Sequence, residues 1–380
     1  MEFPGSEIDP ARLAERLAVL AAGELSTPPT SLRGWTGTRA APPIVLVHGH
    51  ATTFKVWTDP YHESLGEGLI PLDFSLTDCD RRPQGIYFPE WRFKNVCFAT
   101  PMRLLPDPPP CYWDTLRREG YSLLTWSQAH PNGTIQHAVR ELAVVLRLAE
   151  ETFGTSRFLV LVHSRGGLVA RRLLQQRPEL ARHVIGLVML STPNHGSKIA
   201  ALSRSASRVK PLLDRFLGDK ILAKAGEDFR ESALKYVGSL LAFFQGEAIR
   251  ELRPRSRIMR EMAEGIKAER ALGIPYYLFA GHDNRHNRLY LIRDREKGDL
   301  VELLCVLDGL WNFAMPSELR DDKGDGLVAV KRAVLGWERR RKLFRANHAS
   351  ILVHRDAQLA VLGALAELTA EEAGRATAGK

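Results

Sequence analysis

No apolar run in this chain of 380 residues approaches the roughly 20 residues that a helix needs to cross a bilayer. The opening residues, MEFPGSEIDPARLAERL, place acids early and contain no continuous apolar stretch. A secretory signal is therefore not expected, and a cytoplasmic location is. Cysteine is scarce: Cys79, Cys97, Cys111 and Cys305 form no C-x-x-C pair. Cys97 and Cys305 fall inside strand-like runs, so the thiols read as reduced and buried rather than as a disulfide framework. There is also no pattern of stacking aromatics or binding motif beside the basic residues, which argues against a nucleic-acid partner.

What is present is ordinary globular composition, 44% hydrophobic and 26% charged. The length suits one large α/β domain with insertions, or two smaller domains. Lys plus Arg exceed Asp plus Glu by 53 − 44 = 9. The excess gathers at Arg250, Arg253, Arg255, Arg257 and Arg260, and again at Arg339, Arg340, Arg341, Lys342 and Arg345. Such clusters read first as solvated faces, and second as peripheral attraction to anionic lipid or to acidic substrates.

Apolar periodicity divides the chain. Residues 1 to 25 read as one amphipathic helix with Leu13, Leu17, Val19 and Leu20 on its apolar side, followed by a Ser/Thr/Pro/Gly-rich connector. IVLVHGH (Ile44 to His50) is a buried strand entering a Gly turn. Residues 51 to 118, rich in Pro and aromatics, read as an irregular excursion with a candidate strand at 95 to 100, and a further strand is expected at 121 to 126. Ile135, Val139, Leu142, Leu146, Ala149 and Phe153 recur at helical spacing before Gly154. Strands follow at Phe158 to Val162, Val184 to Leu190 and Tyr276 to Ala280, with helices between, so βαβ units and a mostly parallel sheet are expected. Residues 197 to 268 read as helices only, one carrying Leu212, Leu213, Phe216 and Leu217, another Val237, Leu240, Leu241 and Phe244. A short apolar run at Leu303 to Leu307, residues 327 to 335 and a C-terminal helix from Ala357 to Leu368 complete the pattern, with a frayed tail after it.

The segment FLVLVHSRGGLVARRL runs from a buried strand through a sharp turn into a helix and lifts Ser164 on that turn. A serine hydroxyl is a weak nucleophile and needs a base, an orienting acid and donors for an oxyanion. The turn after VLVHGH offers the N–H of His50, and the residue after the serine offers the N–H of Arg165. KGDGLV supplies Asp325 on a tight turn, and ANHASIL supplies His348 in a polar loop. Asp283, just past a strand, is a rival acid, and His354 a rival base. His163, next to the serine, is expected on the opposite face of the strand from it and so to pack beside the turn rather than act as base, and His48 reads as a support for the turn. His282, Asp283 and His286 read as an ordinary polar loop, with no metal site expected.

VLVHGH, VHSRGGLVAR, LSTPNHGS, GDGLV and NHASIL stand in an order that resembles the lipase branch of the α/β-hydrolase superfamily, over roughly residues 42 to 365. The match departs at Val162, where the G-x-S-x-G turn has its first Gly; a branched side chain there is expected to crowd the turn. The resemblance implies an α/β-hydrolase fold: a mostly parallel central sheet flanked by helices, with a helical cap or lid. On that reading residues 1–42 are an N-terminal helix and linker, 43–196 and 269–368 the core, 197–268 the cap, and 369–380 the tail. It further implies a serine ester hydrolase, lipase- or esterase-like, without cofactor, acting on a small-molecule or lipid ester through an acyl-enzyme on Ser164. His348 would be the base, Asp325 the acid, and the His50 and Arg165 N–H groups the oxyanion donors. A thioesterase or acyltransferase with the same three residues, or a non-catalytic binding protein of this fold, are the alternatives.

Overall fold

The computed structural model describes residues 3–60, 63–65, 70–71, 96–98, 110–202, 246–283, 288–294, 299–305, 317–320 and 322–378. An eight-stranded sheet runs through its centre: β1 (Gly5–Ile8), β2 (Leu32–Gly37), β3 (Ile44–Val47), β4 (Leu123–Trp126), β5 (Phe158–His163), β6 (Val184–Leu190), β7 (Tyr276–Gly281) and β8 (Arg340–Phe344). Their order across the sheet is β1-β2-β4-β3-β5-β6-β7-β8. The pairs β1–β2 and β2–β4 are antiparallel and all the others parallel.

Strands β3, β4, β5, β6 and β7 are buried at every position, which is why they read as continuous apolar runs rather than alternating ones. The helices between them bury one face each. In α1 (Pro10–Ala21) Asp9 caps the first turn by accepting from the Ala11 N–H at 2.9 Å, and Leu13, Leu17 and Ala21 face inward. The short helix α2 (Tyr112–Arg118) precedes β4, and Arg16 of α1 pairs with Glu151 of α3 (Ile135–Phe153). That helix starts at a Thr134 cap and stops at Gly154, which takes the left-handed conformation. The helix after β5, α4 (Arg165–Gln176), buries Arg165 to Arg171 together with Leu173 and Leu174. The chain passes from β3 to β4 on one side and then to β5 on the other, so the sheet switches direction around β3. Crevices at the carboxyl ends of strands beside such a switch are where open α/β sheets bind ligands.

Several elements differ from the sequence expectation. The N-terminal segment is not one helix and a connector, because β1 and β2 add two strands to the sheet. GSEI lies exposed at the edge and LRGWTG contains two glycines, so neither shows a strand period. Val19, expected inside, is 58% exposed. The basic run 340–344 is an edge strand whose first four residues are exposed, which hides it from any apolar pattern. The C-terminal helix α8 (Arg355–Ala378) continues through the expected tail, anchored by Arg157–Glu372 at 2.6 Å and Arg339–Glu371 at 2.5 Å.

A three-stranded antiparallel sheet joins Val96–Phe98, Arg288–Asp294 and Asp299–Cys305. The flanks of the expected cap are helical: Ile199–Leu202, then α5 (Glu247–Glu251), α6 (Arg257–Glu264) and α7 (Ile266–Ala271). Residues 203–245, with the two helices read there, lie outside the described residues, as do Cys79, His286 and most of the 51–118 excursion. Among the described residues Cys111 is a buried free thiol. No helix among them is long and apolar enough to cross a membrane.

Candidate active site

Ser164 sits between β5 and α4 with φ 54° and ψ −129°, a backbone region that a side chain enters only under constraint. The constraint comes from both sides. Its N–H donates to Leu190 O of β6 at 2.9 Å, and the Gly167 N–H donates back to its carbonyl at 3.1 Å. The helix then rises against β3: a Cβ on Gly166 would lie 2.6 Å from Val47 O and 2.7 Å from His48 O. The tight contact at this turn is thus with the backbone of β3. Val162 is fully buried in β5, paired with Val47 and Met189, and the atoms nearest the Gly166 position belong to residues 47 and 48.

Three side chains from distant parts of the chain meet above this turn. Ser164 Oγ lies 2.8 Å from His348 Nε2, and His348 Nδ1 lies 2.8 Å from Asp325 Oδ2. Both ring nitrogens of His348 are therefore engaged. Asp325 is fully buried, and its other oxygen accepts the N–H groups of Leu327 at 3.0 Å and Val328 at 2.7 Å. Burial works to raise its pKa, but the His348 charge and the hydrogen bonds from His348, Val328 and Ser191 outweigh it, and the carboxyl is held below its ordinary range. A carboxylate on Nδ1 keeps the proton there and leaves Nε2 as an acceptor facing the hydroxyl. The His348 N–H also donates to Asp325 O at 2.9 Å, so the two loops are tied by backbone as well.

The remaining residues singled out by sequence fall around this group. Asp283 lies just past β7, 9% exposed, with its N–H on Ala346 O at 3.1 Å. His163 is buried behind the serine, where its Nε2 bonds His348 O at 3.0 Å. Burial, then the neighbouring His348 charge, pushes its pKa down to about 3, so it is neutral at ordinary pH. His354 precedes α8 and stacks at a tilt on Phe344, with ring centroids 5.6 Å apart. His282 Nδ1 meets Asp322 at 2.9 Å on the surface. No cluster of three metal-ligating side chains occurs among the described residues.

Ser191 was not legible as a support of the site, whereas His48 was expected to support the turn after β3. Ser191, at the end of β6, has φ 47°; its Oγ accepts the Gly281 N–H at 3.3 Å and its side chain bonds Asp325. The turn after β3 is held from below. His48 is buried and accepts the Gln128 N–H on Nε2 at 2.9 Å, while Nδ1 faces Gly49 O at 3.0 Å and Thr52 Oγ1 at 3.2 Å. Burial lowers its pKa to about 3, so the ring is neutral, and the Gln128 N–H on Nε2 leaves its proton on Nδ1. The turn presses on the serine: a Cβ on Gly49 would lie 2.9 Å from Ser164 Cβ. Behind it the fully buried Arg165 guanidinium donates to Gln128 Oε1 at 2.8 Å and to Gly133 O at 2.6 Å. The signal for these supports is weak in sequence, because each works through a partner tens of residues away.

No family sequence model matches the chain, and no curated protein sequence does. Among solved structures it is similar to a lipase of Bacillus licheniformis in its mature form. The two are 18% identical, with a TM-score of 0.50, over 91% of this chain and 95% of that one. It also matches a structure from a study of carboxylesterases of the thaumarchaeon Nitrososphaera gargenis, 14% identical with a TM-score of 0.40, over 91% of this chain and 99% of that one.

Proposed function

We propose that this chain, which has the α/β-hydrolase fold, is a serine ester hydrolase of lipase or carboxylesterase type. The observation that carries the reading is the continuous 2.8 Å–2.8 Å chain of contacts from Ser164 Oγ through His348 to Asp325, built on a strained serine at a strand–helix turn. The Bacillus licheniformis protein of similar fold is a lipase, which is consistent with this chemistry.

In this reading the Ser164 hydroxyl attacks an ester carbonyl while His348 Nε2 takes its proton. The oxyanion forms against the backbone N–H groups of His50 and Arg165. The latter also lies at the start of a 12-residue helix, where the dipole favours negative charge. His348 then returns the proton to the departing alkoxide, leaving an ester on Ser164. Water, deprotonated by the same nitrogen, releases the acid and restores the hydroxyl. Asp325 stays ionised throughout and holds the imidazolium in place. Peripheral attraction of the basic cluster near residues 250 to 260 to anionic lipid belongs to the same proposal.

Fluorophosphonate labelling of the wild type beside Ser164→Ala tests it. Labelling is expected in the wild type and absent in the variant; a wild type that stays unlabelled while folded would sink the enzyme reading. A p-nitrophenyl ester series of increasing chain length, run beside a thioester, then identifies the preferred acyl substrate.

A further inference from the structure

Gln128 stands two residues beyond β4, only 4% exposed, and touches neither Ser164, His348 nor Asp325 through any bond described above. Its bonds go elsewhere. Its backbone N–H donates to His48 Nε2 at 2.9 Å, and its side-chain Nε2 donates to His48 O at 3.4 Å. Its Oε1 accepts from Arg165 Nη1 at 2.8 Å. One residue thus spans the turn after β3 and the first residue of α4, the two elements that carry the N–H groups assigned above to the oxyanion.

We infer that Gln128 is a positioning residue that sets the spacing of the two oxyanion donors by bridging His48 to Arg165. The inference rests on the hydrolase reading of the site. The loop that presents Gln128 is fixed at several other points, so its side chain is not free to drift. Ser127 N–H donates to Ser31 O at 2.8 Å, Ala129 N–H to Glu141 Oε1 at 3.2 Å, and Ala51 N–H to Pro131 O at 3.2 Å. Arg165 carries a full charge with no exposure to water, and its acceptors are Gln128 Oε1 and Gly133 O. Removing the Gln128 carbonyl leaves part of that charge without a partner, so the guanidinium must shift. The Arg165 backbone is the first turn of α4, and a shift there moves one donor relative to the other. Donors that stabilise an oxyanion act only when aimed at the position the charge will occupy.

Loss of the bridge should therefore be felt in the transition state and not in substrate binding. Losing an oxyanion donor outright costs about 100- to 1,000-fold in kcat. A displaced donor should cost less, so for Gln128→Leu we expect kcat to fall about 10- to 100-fold with KM within about threefold. A trifluoromethyl ketone adds to Ser164 and places its hemiketal oxygen in the same site, so its inhibition constant should rise by the same factor as kcat falls. Gln128→Glu, nearly isosteric, keeps the acceptor for Arg165 and the backbone bond to His48 Nε2, loses only the long 3.4 Å bond to His48 O, and should retain most of the activity.

The experiment is kcat, KM, ketone inhibition and thermal melting on wild type, Gln128→Leu and Gln128→Glu, with fluorophosphonate labelling of the wild type run first. A wild type that labels, together with a kcat loss matched in ketone affinity and rescued in Gln128→Glu, supports the bridge. A Gln128→Leu enzyme of unchanged kcat, or one that loses in KM alone, overturns it. So does a Gln128→Glu enzyme that loses kcat while ketone inhibition is unchanged, and that comparison decides the matter if Gln128→Leu does not fold. A wild type without Ser164-dependent labelling overturns the hydrolase reading, and this inference with it.

Discussion

The proton that Ser164 would surrender has an acceptor at 2.8 Å, and Asp325 decides which ring nitrogen of His348 is free to take it. Replacing Asp325 by Asn keeps the shape but presents either an oxygen or an amide NH₂ to Nδ1. In the second case the ring proton moves to Nε2 and the serine faces a donor. In a Ser-His-Asp protease triad the same change costs about 10⁴-fold in kcat. For Asp325→Asn we expect a loss on the order of 10³- to 10⁴-fold in kcat with KM little changed. Asp283→Asn, whose residue meets Ala346 through its backbone N–H, should stay within about threefold of wild type. Steady-state kinetics on both variants settles the comparison, and the reverse ranking would move the acid to Asp283. The three residues that converge on one another were visible in sequence because Ser164 ends an apolar run, while Asp325 and His348 sit in short polar loops that follow it in an order resembling the lipase branch. Ser191, Gln128 and His48 were not visible as a group. Their roles depend on contacts such as Gly281 N–H to Ser191 and Arg165 to Gln128, which join residues separated by 37 to 90 positions.

At the scale of elements, the loop after β6 is held by a buried ion pair. Arg171 of α4 meets Glu269 of α7 at 2.7 and 2.9 Å, both almost wholly buried, and the same carboxylate accepts from Tyr276 Oη at 2.8 Å and Gln175 at 2.7 Å. Arg171 also reaches Asn194 Oδ1 at 3.1 Å, and Asn194 donates to Ala333 O at 2.5 Å. The Arg171–Glu269 pair therefore ties α4, α7, β7 and the 190–197 loop. Removing one partner strands the other's charge, which costs about 3–5 kcal/mol. Denaturant unfolding of Arg171→Met should show a loss of that size, and Arg171→Met combined with Glu269→Leu should recover much of it. Equal instability in the double variant would mean that the hydrogen bonds to Tyr276 and Asn194, not the charge, hold the junction. Elements of this interior kind were legible: β5 and α4 announce themselves by a continuous apolar run and then helical spacing. The edges were not. In β8 the side chains of Arg340 and Arg341 form ion pairs, Arg340 with Glu367 at 2.8 Å and Arg341 with Glu338 at 3.5 Å. A strand made that way looks in sequence like a plain basic cluster.

Across the whole molecule, burial of titratable groups sets how stability responds to pH. His48 and His163 are both buried, and desolvation holds each at about 3. In the unfolded chain each titrates near 6.5. Between those values the unfolded chain binds more protons, so this contribution is present above about 6.5 and is lost as pH falls toward 3. Glu141 works in the opposite sense. Burial raises it to about 7, against the hydrogen bonds from Trp126 and Ala129 and the Arg165 charge that lower it. The folded state then holds a proton that the unfolded chain has released above its ordinary carboxylate pKa. That contribution is present below the ordinary value and is lost as pH rises through about 7. Between roughly pH 4.5 and 6.5 two histidine protons oppose one glutamate proton, a net of about one proton taken up on unfolding. Below that window the glutamate is protonated in both states, and the net rises toward about two. These groups alone therefore place the stability maximum near neutrality, with a decline of about 1.4 kcal/mol per pH unit on the acid side that steepens below about pH 4.5. Glu141→Gln removes the opposing proton, so the acid-side slope should approach two protons throughout. Denaturation free energies from pH 4 to 8 on wild type and Glu141→Gln read this directly. Parallel curves would show that Glu141 titrates alike in the folded and unfolded chain and that its burial is relieved by water.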